Sequence, residues 1–126
     1  MCHFTKEQAL RAVEAARTNR TFNTGANRNP DTGKLDFEGF LAPLVLERYA
    51  QYMDKHRHLA DGTLRASDNW QKGIPVDVYV KSKWRHDFDV WKWHRGLPTT
   101  EPIEDALCAV LFNTMGLLLE VMKAKP

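Results

Sequence analysis

Two cysteines, Cys2 and Cys108, are all this chain holds, and without a CxxC or zinc-finger spacing they give neither a disulfide framework nor a thiolate metal site. Cys108 lies in an apolar helical run, where a buried thiol is the plain expectation. No GxxxxGK[ST], no GxGxxG after a strand and no GxSxG occurs, which removes P-loop, Rossmann and serine-hydrolase chemistry. Charge of one sign is lacking too. Against 18 Lys and Arg stand 16 Asp and Glu, for a net +2, with a mild basic excess only in 81–95, so no direct nucleic-acid binding is expected. There is no unbroken run of about 18 apolar residues and no apolar signal-peptide core at the N-terminus. The expectation is a cytoplasmic protein with reduced thiols and no membrane partner.

What is present is ordinary globular composition, 43% hydrophobic and 27% charged over 126 residues, which predicts one domain with a single core. The pattern reads as all-α. A first helix is predicted at about 6–18, opened by Thr5 and Gln8 at capping-box spacing. Residues 19–36 are dense in Asn, Gly, Pro and Asp and predict a long loop with Asn29-Pro-Asp-Thr-Gly33 as a tight turn. A second helix is predicted at about 42–60, with Pro43 in its first turn and Val45, Leu46, Tyr49, Tyr52, Met53 and His56 on one face. A polar loop, 61–74, follows. The third helix starts at Pro75 and ends at Gly96, and the fourth covers about 102–123.

The last two helices are too apolar to lie on a surface. The third carries Val80, Trp84, Phe88 and Trp91 on one side and Tyr79, Val90 and Trp93 on the other. The fourth is apolar nearly all round from Ala106 to Leu119, with a small or polar line Ala106, Ala109, Asn113, Gly116 that admits a close neighbour. Four helices cannot cover both, so a homodimer is expected.

The chemistry-bearing residues fall in three places. His86 and Asp89 share one face of the third helix; they form part of a hard-cation site or are a core histidine with its hydrogen-bond partner. Glu101, Glu104 and Asp105 crowd the start of the fourth helix. Acids there suit the helix dipole, which suffices for Glu101, but Asp105 precedes an apolar helix and would need a cation or donors if it points inward. Glu47 is a ligand only if the second helix is covered on two sides, and His56 is a site residue or a core histidine. The loop Arg65 to Gly73 combines a guanidinium, Asn69, Trp70 and Lys72. It suits phosphate and base recognition, or it is a capped loop plugged by Trp70. Lys34, Arg57, Lys81 and Arg85 are further phosphate candidates, each also readable as a solvated charge. His86-Asp87, with His56 upstream and Asp105 downstream, is similar to the pair of HD phosphohydrolases, an alternative that lacks a further histidine pair.

Taken together, Gly39-Phe-Leu-Ala-Pro43, Asn69-Trp-Gln-Lys-Gly73, Arg85-His86 and Glu104-Asp-Ala-Leu-Cys-Ala-Val-Leu-Phe-Asn113 resemble the dATP/dGTP diphosphohydrolase family of bacteriophages and prophages, grouped with MazG-like nucleotide pyrophosphohydrolases. The resemblance runs from about Gly25 to Lys123. It implies a dimeric all-α bundle that uses magnesium, or manganese in its place, to split a purine deoxynucleoside triphosphate into monophosphate and pyrophosphate, in a host's cytoplasm if phage-encoded. Carried over by position, Asn69, Trp70 and Gly73 form the substrate loop, and Arg85 and His86 lie on the active-site helix. Asp105 stands where many members have a histidine. The ExxE…ExxD signature of MazG has Glu47 as its nearest first half and Glu104 with Asp105 as its second.

The resulting expectation is catalysis by His86 and Arg85, metal on Glu47, Asp89, Glu104 and Asp105, and substrate on Arg65, Asn69, Trp70, Lys72, Gly73 and His56. A non-catalytic nucleotide- or protein-binding helical protein is the non-enzymatic alternative.

Overall fold

The computed structural model describes residues 5–10 and 19–126. It is mostly helical, with one two-stranded sheet, and divides into two compact units, 1–41 and 42–126.

In the first unit Thr5 and Gln8 form the reciprocal cap that their spacing predicts. Thr5 N–H donates to Gln8 Oε1 at 2.9 Å and Gln8 N–H to Thr5 Oγ1 at 3.1 Å, and residues 6–10 are helical. The rest of the helix predicted to 18 lies outside the described residues. The expected 19–36 loop contains a short antiparallel ladder, β1 (Arg20–Thr21) with β2 (Asn27–Arg28). Its turn is closed by Phe22 N–H on Ala26 O. The Asn-Pro-Asp-Thr-Gly segment does turn tightly, Lys34 N–H donating to Asp31 O at 3.0 Å. A single turn, α1 (Phe37–Phe40), follows, capped by Asp36 on Gly39 N–H.

The second unit holds three helices, α2 (Pro43–Lys55), α3 (Val76–His94) and α4 (Ile103–Lys123), with a 3-10 turn at Asn69–Lys72. Pro43 occupies the first turn of α2, where its missing N–H costs nothing. The helix stops five residues before the expected 60. Residues 57–65 instead fold back as a hairpin with a bridge at His58 and Leu64. The turn chemistry of Asp61-Gly62-Thr63 prevails over helical periodicity. Asp61 accepts from both Thr63 N–H and Oγ1, and Gly62 adopts φ +85°. At the other end of the unit α3 closes as predicted. Gly96, at φ +72°, lets Leu97 N–H reach back to Lys92 O at 2.9 Å.

α4 is the centre of this unit and packs chiefly on α3, less on α2. Its line Ala106, Ala109, Asn113, Gly116 is buried, as the small side chains lead one to expect. The ring of Tyr79 lies where a Cβ on Gly116 would be. Asn113 is satisfied within its own helix, donating to Ala109 O at 2.8 Å. On the α2 side Tyr52, Cys108 and Ala109 form a small core flanked by Tyr49 and Met53.

Other parts of the predicted apolar faces stay open. Val45 and Leu46 are exposed on α2, and so are Trp84, Phe88, Trp91 and Trp93 on α3. By length and composition α4 could cross a membrane, since it is 21 residues long and a stretch within it reaches a mean hydropathy of 1.6. A sequence reading that asks for an unbroken apolar run misses this, because Asn113 and Glu120 interrupt it.

Candidate site at the hairpin and the 3-10 turn

The hairpin after α2 sets two guanidinium groups against one cavity. Arg65 N–H donates to Arg57 O, and Arg57 Nε returns a bond to Arg65 O, both at 2.8 Å. Arg57 is also 3.4 Å from Asp54. Both arginines line a cavity of about 350 Å³ that also takes in His56, Asn69, Trp70 and Phe112, a volume within the range of small-molecule sites. Trp70 is held edge-on to Phe112, which meets Tyr79 in turn, with ring centroids 6.1 and 5.9 Å apart. The 3-10 turn ends at Gly73, whose φ of +122° a side chain would strain. Lys123 pins the turn to the end of α4 by donating to Gln71 O at 3.0 Å.

His56 is tilted on Tyr52 at 4.4 Å between ring centroids. Desolvation and then the Lys55 cation hold its imidazole below the usual histidine value, against opposing pulls from Asp105 and Glu101. The Tyr52 phenol is pushed up to about 12, by burial first and then by the charges of Glu101 and Asp105. The cavity's histidine thus feels both cations and carboxylates.

Those carboxylates are already engaged. Asp105 accepts from Arg48 at 2.6 Å and Lys55 at 3.3 Å, and Glu104 from Arg48 at 2.8 Å. The Arg48 bond, more than any other contact, depresses the Asp105 carboxyl. Asp89 is buried under the turn into α4, accepting from Thr100 N–H at 3.1 Å and Thr100 Oγ1 at 2.5 Å. These bonds hold its carboxyl below the usual carboxylate range as well. His86 is hydrogen-bonded through Nδ1 to Glu101.

Of the residues expected to meet substrate, Arg65, Asn69, Trp70 and His56 line the one cavity, while Lys72 and Gly73 belong to the same turn without lining it. Of the four expected metal ligands, Glu104 and Asp105 stay together on Arg48, while Asp89 is held elsewhere, by Thr100. Glu47 and Glu104 border a groove between α2 and α4, and Asp105 is also on Lys55. Among the described residues no group of three His, Cys, Asp or Glu is placed to hold a metal ion. Arg85 lies on the outer face of α3 beside Trp84 and Phe88, away from its neighbour His86. Asp87 pairs with Lys83 at 2.6 Å, so His86 and Asp87 diverge.

Phe112 and Glu101 escape sequence reasoning as site members, because Phe112 reads as one more apolar residue of α4 and Glu101 as a first-turn acid. Arg57, one of the four further phosphate candidates, does line the cavity. Compared with known protein families, curated proteins and solved structures, the chain matches none.

Proposed function

We propose that this chain is a MazG-like phosphohydrolase that cleaves a purine deoxynucleoside triphosphate into monophosphate and pyrophosphate in the cytoplasm. The observation that carries the reading is the cavity, in which Arg57 and Arg65 stand with Asn69 and the Trp70–Phe112 rings. A purine can stack on the face of an aromatic ring such as Trp70 and be read by an amide such as Asn69, and guanidinium forks suit the charge of a polyphosphate.

As a resident ion, magnesium does not fit the four carboxylates in this arrangement, since Asp89, Glu104 and Asp105 are each taken by protein donors. Magnesium commonly binds through substrate phosphates with only one or two carboxylates. It enters this reading with the triphosphate, as part of the substrate. The chain's own residues then have separate tasks. Arg57 and Arg65 oppose charge developing on the phosphates. His56, its imidazole held below the usual histidine value by desolvation and by the Lys55 cation, takes a proton from the attacking water. Glu101, hydrogen-bonded to His86, adds a negative charge that raises the basicity of His56.

The test is incubation of the purified chain with each deoxynucleoside and ribonucleoside triphosphate and magnesium, with the products resolved by ion exchange. Monophosphate and pyrophosphate from dATP or dGTP are expected, lost in Arg65→Ala. Intact triphosphate in every case would sink the enzyme. A second reading, nucleotide capture without turnover, is favoured by the engagement of Asp89 and Asp105. Calorimetry separates the two, because capture predicts binding that needs no metal and yields no product.

A further inference from the structure

We infer that the outer face of α3 binds single-stranded nucleic acid, apart from the nucleotide cavity. The inference does not rest on the hydrolase reading. At 100° per residue Trp84, Phe88 and Trp91 fall within about 60° of one another, and they are 72%, 53% and 56% exposed. With Arg85 and Asp87 they wall a groove of about 610 Å³. Lys81, Arg85 and Lys92 form a second row beside the first, and Arg95, at the cap of the helix, closes it. The basic excess in 81–95, too slight over the whole chain to imply a polyanion, is thereby gathered on one face. The carboxylates of α3 do not oppose it. Asp77 lies a turn before Lys81, Asp87 is paired with Lys83 at 2.6 Å, and Asp89 is buried on Thr100 with Lys92 3.9 Å away.

Two features select a single strand. The first is that the exposed row is made of rings and holds no aliphatic side chain. Every base has a face that stacks on such rings, and only an unpaired strand can offer it, since a duplex keeps its bases stacked inside. Trp84 has no ring or cation contact among the described residues, so its ring is open to a base. Phe88 and Trp91 stand edge-on at 6.0 Å, with Lys92 5.5 Å from the Phe88 centroid and Arg95 5.9 Å from that of Trp91. Those cations lie where a base stacked alongside would carry its phosphate.

The second is the one-sided order of the rows. A strand has bases along one edge and phosphates along the other, and α3 presents rings along one edge and cations along the other. A helix that lies in an anionic membrane carries its cations across the whole side opposite its apolar face. In α3 that side is packed on α4, and the other flank of the rings holds the paired Lys83 and Asp87. From Lys81 to Arg95 the face is roughly 21 Å long, the reach of a few nucleotides.

The experiment is fluorescence anisotropy of a labelled oligothymidylate of about 15 nucleotides, titrated with the full chain at several salt concentrations. EDTA is present so that no turnover intervenes. Binding at low salt is expected, with log affinity falling against log salt at a slope of about −3 for four cations. Trp84→Ala should weaken it roughly tenfold while the helical circular dichroism is kept, and Arg85→Ala should flatten the slope by about 0.7. Arg65→Ala, in the cavity, should change neither. Absence of binding at low salt would overturn the inference, and so would binding that Trp84→Ala leaves unchanged. A loss in Arg65→Ala would put the strand in the cavity instead, and equal competition by a duplex would reduce the contact to charge alone. If the chain ignores the strand and co-sediments with anionic vesicles through Trp84, the face belongs to lipid. Trp84→Ala should leave the dATP product assay unchanged, so the strand and the hydrolase reading fail separately.

Discussion

α4 meets the rest of its unit in two opposite ways. On one side it offers Ala106, Ala109, Asn113 and Gly116, and there the backbone comes so close that the Tyr79 ring occupies the space of a missing Cβ. On the other side it offers Leu107, Leu111 and Leu118, which the chain leaves half uncovered. The side with less hydrophobic mass is the better buried one. Close approach needs small residues, because packing depends on shape as much as on apolar content. The large side chains are then left facing outward, and a hydrophobic count alone would have chosen the wrong face for the core.

The comparison breaks most sharply at Gly116. Gly116→Val places branched carbon against an aromatic ring braced by Phe112. It should cost about 3 kcal/mol, the upper part of the usual overpacking range, read as a lower urea midpoint. If the cost is under about 1 kcal/mol, the seam is looser than described.

On the cavity side, Arg57→Ala removes a guanidinium that both shapes the hairpin and faces the cavity. Affinity for dATP should fall roughly ten- to a hundredfold, as expected for a charge-assisted hydrogen bond. Calorimetry checks this, and unchanged affinity would move the phosphates elsewhere.

The α2 side of α4 is sharpened by Asp105→Asn, which weakens the bonds to Arg48 and Lys55. These groups are partly exposed, so the loss should be about 1 kcal/mol. The pH dependence follows from the depressed Asp105 carboxyl. A folded pKa below the unfolded value means stabilisation that is complete above about pH 4 and lost as pH falls through the lower folded value. Wild type should therefore lose more stability than the variant between pH 5 and pH 3, followed by urea unfolding. Asp89, depressed by Thr100, adds a loss in the same window that remains in the variant. Metal-dependent turnover in Asp105→Asn is a separate readout, since a hundredfold drop would return this carboxylate to the active site.

The smallest expected effect is at Tyr79, whose hydroxyl is buried without a hydrogen-bond partner among the described residues. Tyr79→Phe keeps the ring against Gly116 and Phe112 and removes an unsatisfied polar group. Thermal unfolding should show unchanged or higher stability, by at most about 1 kcal/mol. A clear loss would mean that the hydroxyl has a partner.

The sequence by itself determined the elements whose causes are local. The Thr5–Gln8 cap, the end of α3 at Gly96, Pro43 in the first turn of α2 and the tight turn after Asn29 all follow from groups a few residues apart. Their hydrogen bonds close inside one turn, so no distant residue has a vote. The small line on α4 was legible as well, because a 3.6-residue period projects directly onto a helix face.

What only the tertiary structure decided are the meetings between segments: Arg57 beside Arg65, Phe112 beside Trp70, Glu101 on His86, and Asp105 on Arg48 rather than with Asp89. These partners come from different elements, and which side chains meet depends on how α2 ends and how near α4 approaches α3. A carboxylate reads the same in the sequence whether it will face a metal, a threonine or an arginine. Only its neighbours across the fold, which determine the cost of its charge, assign it one of these.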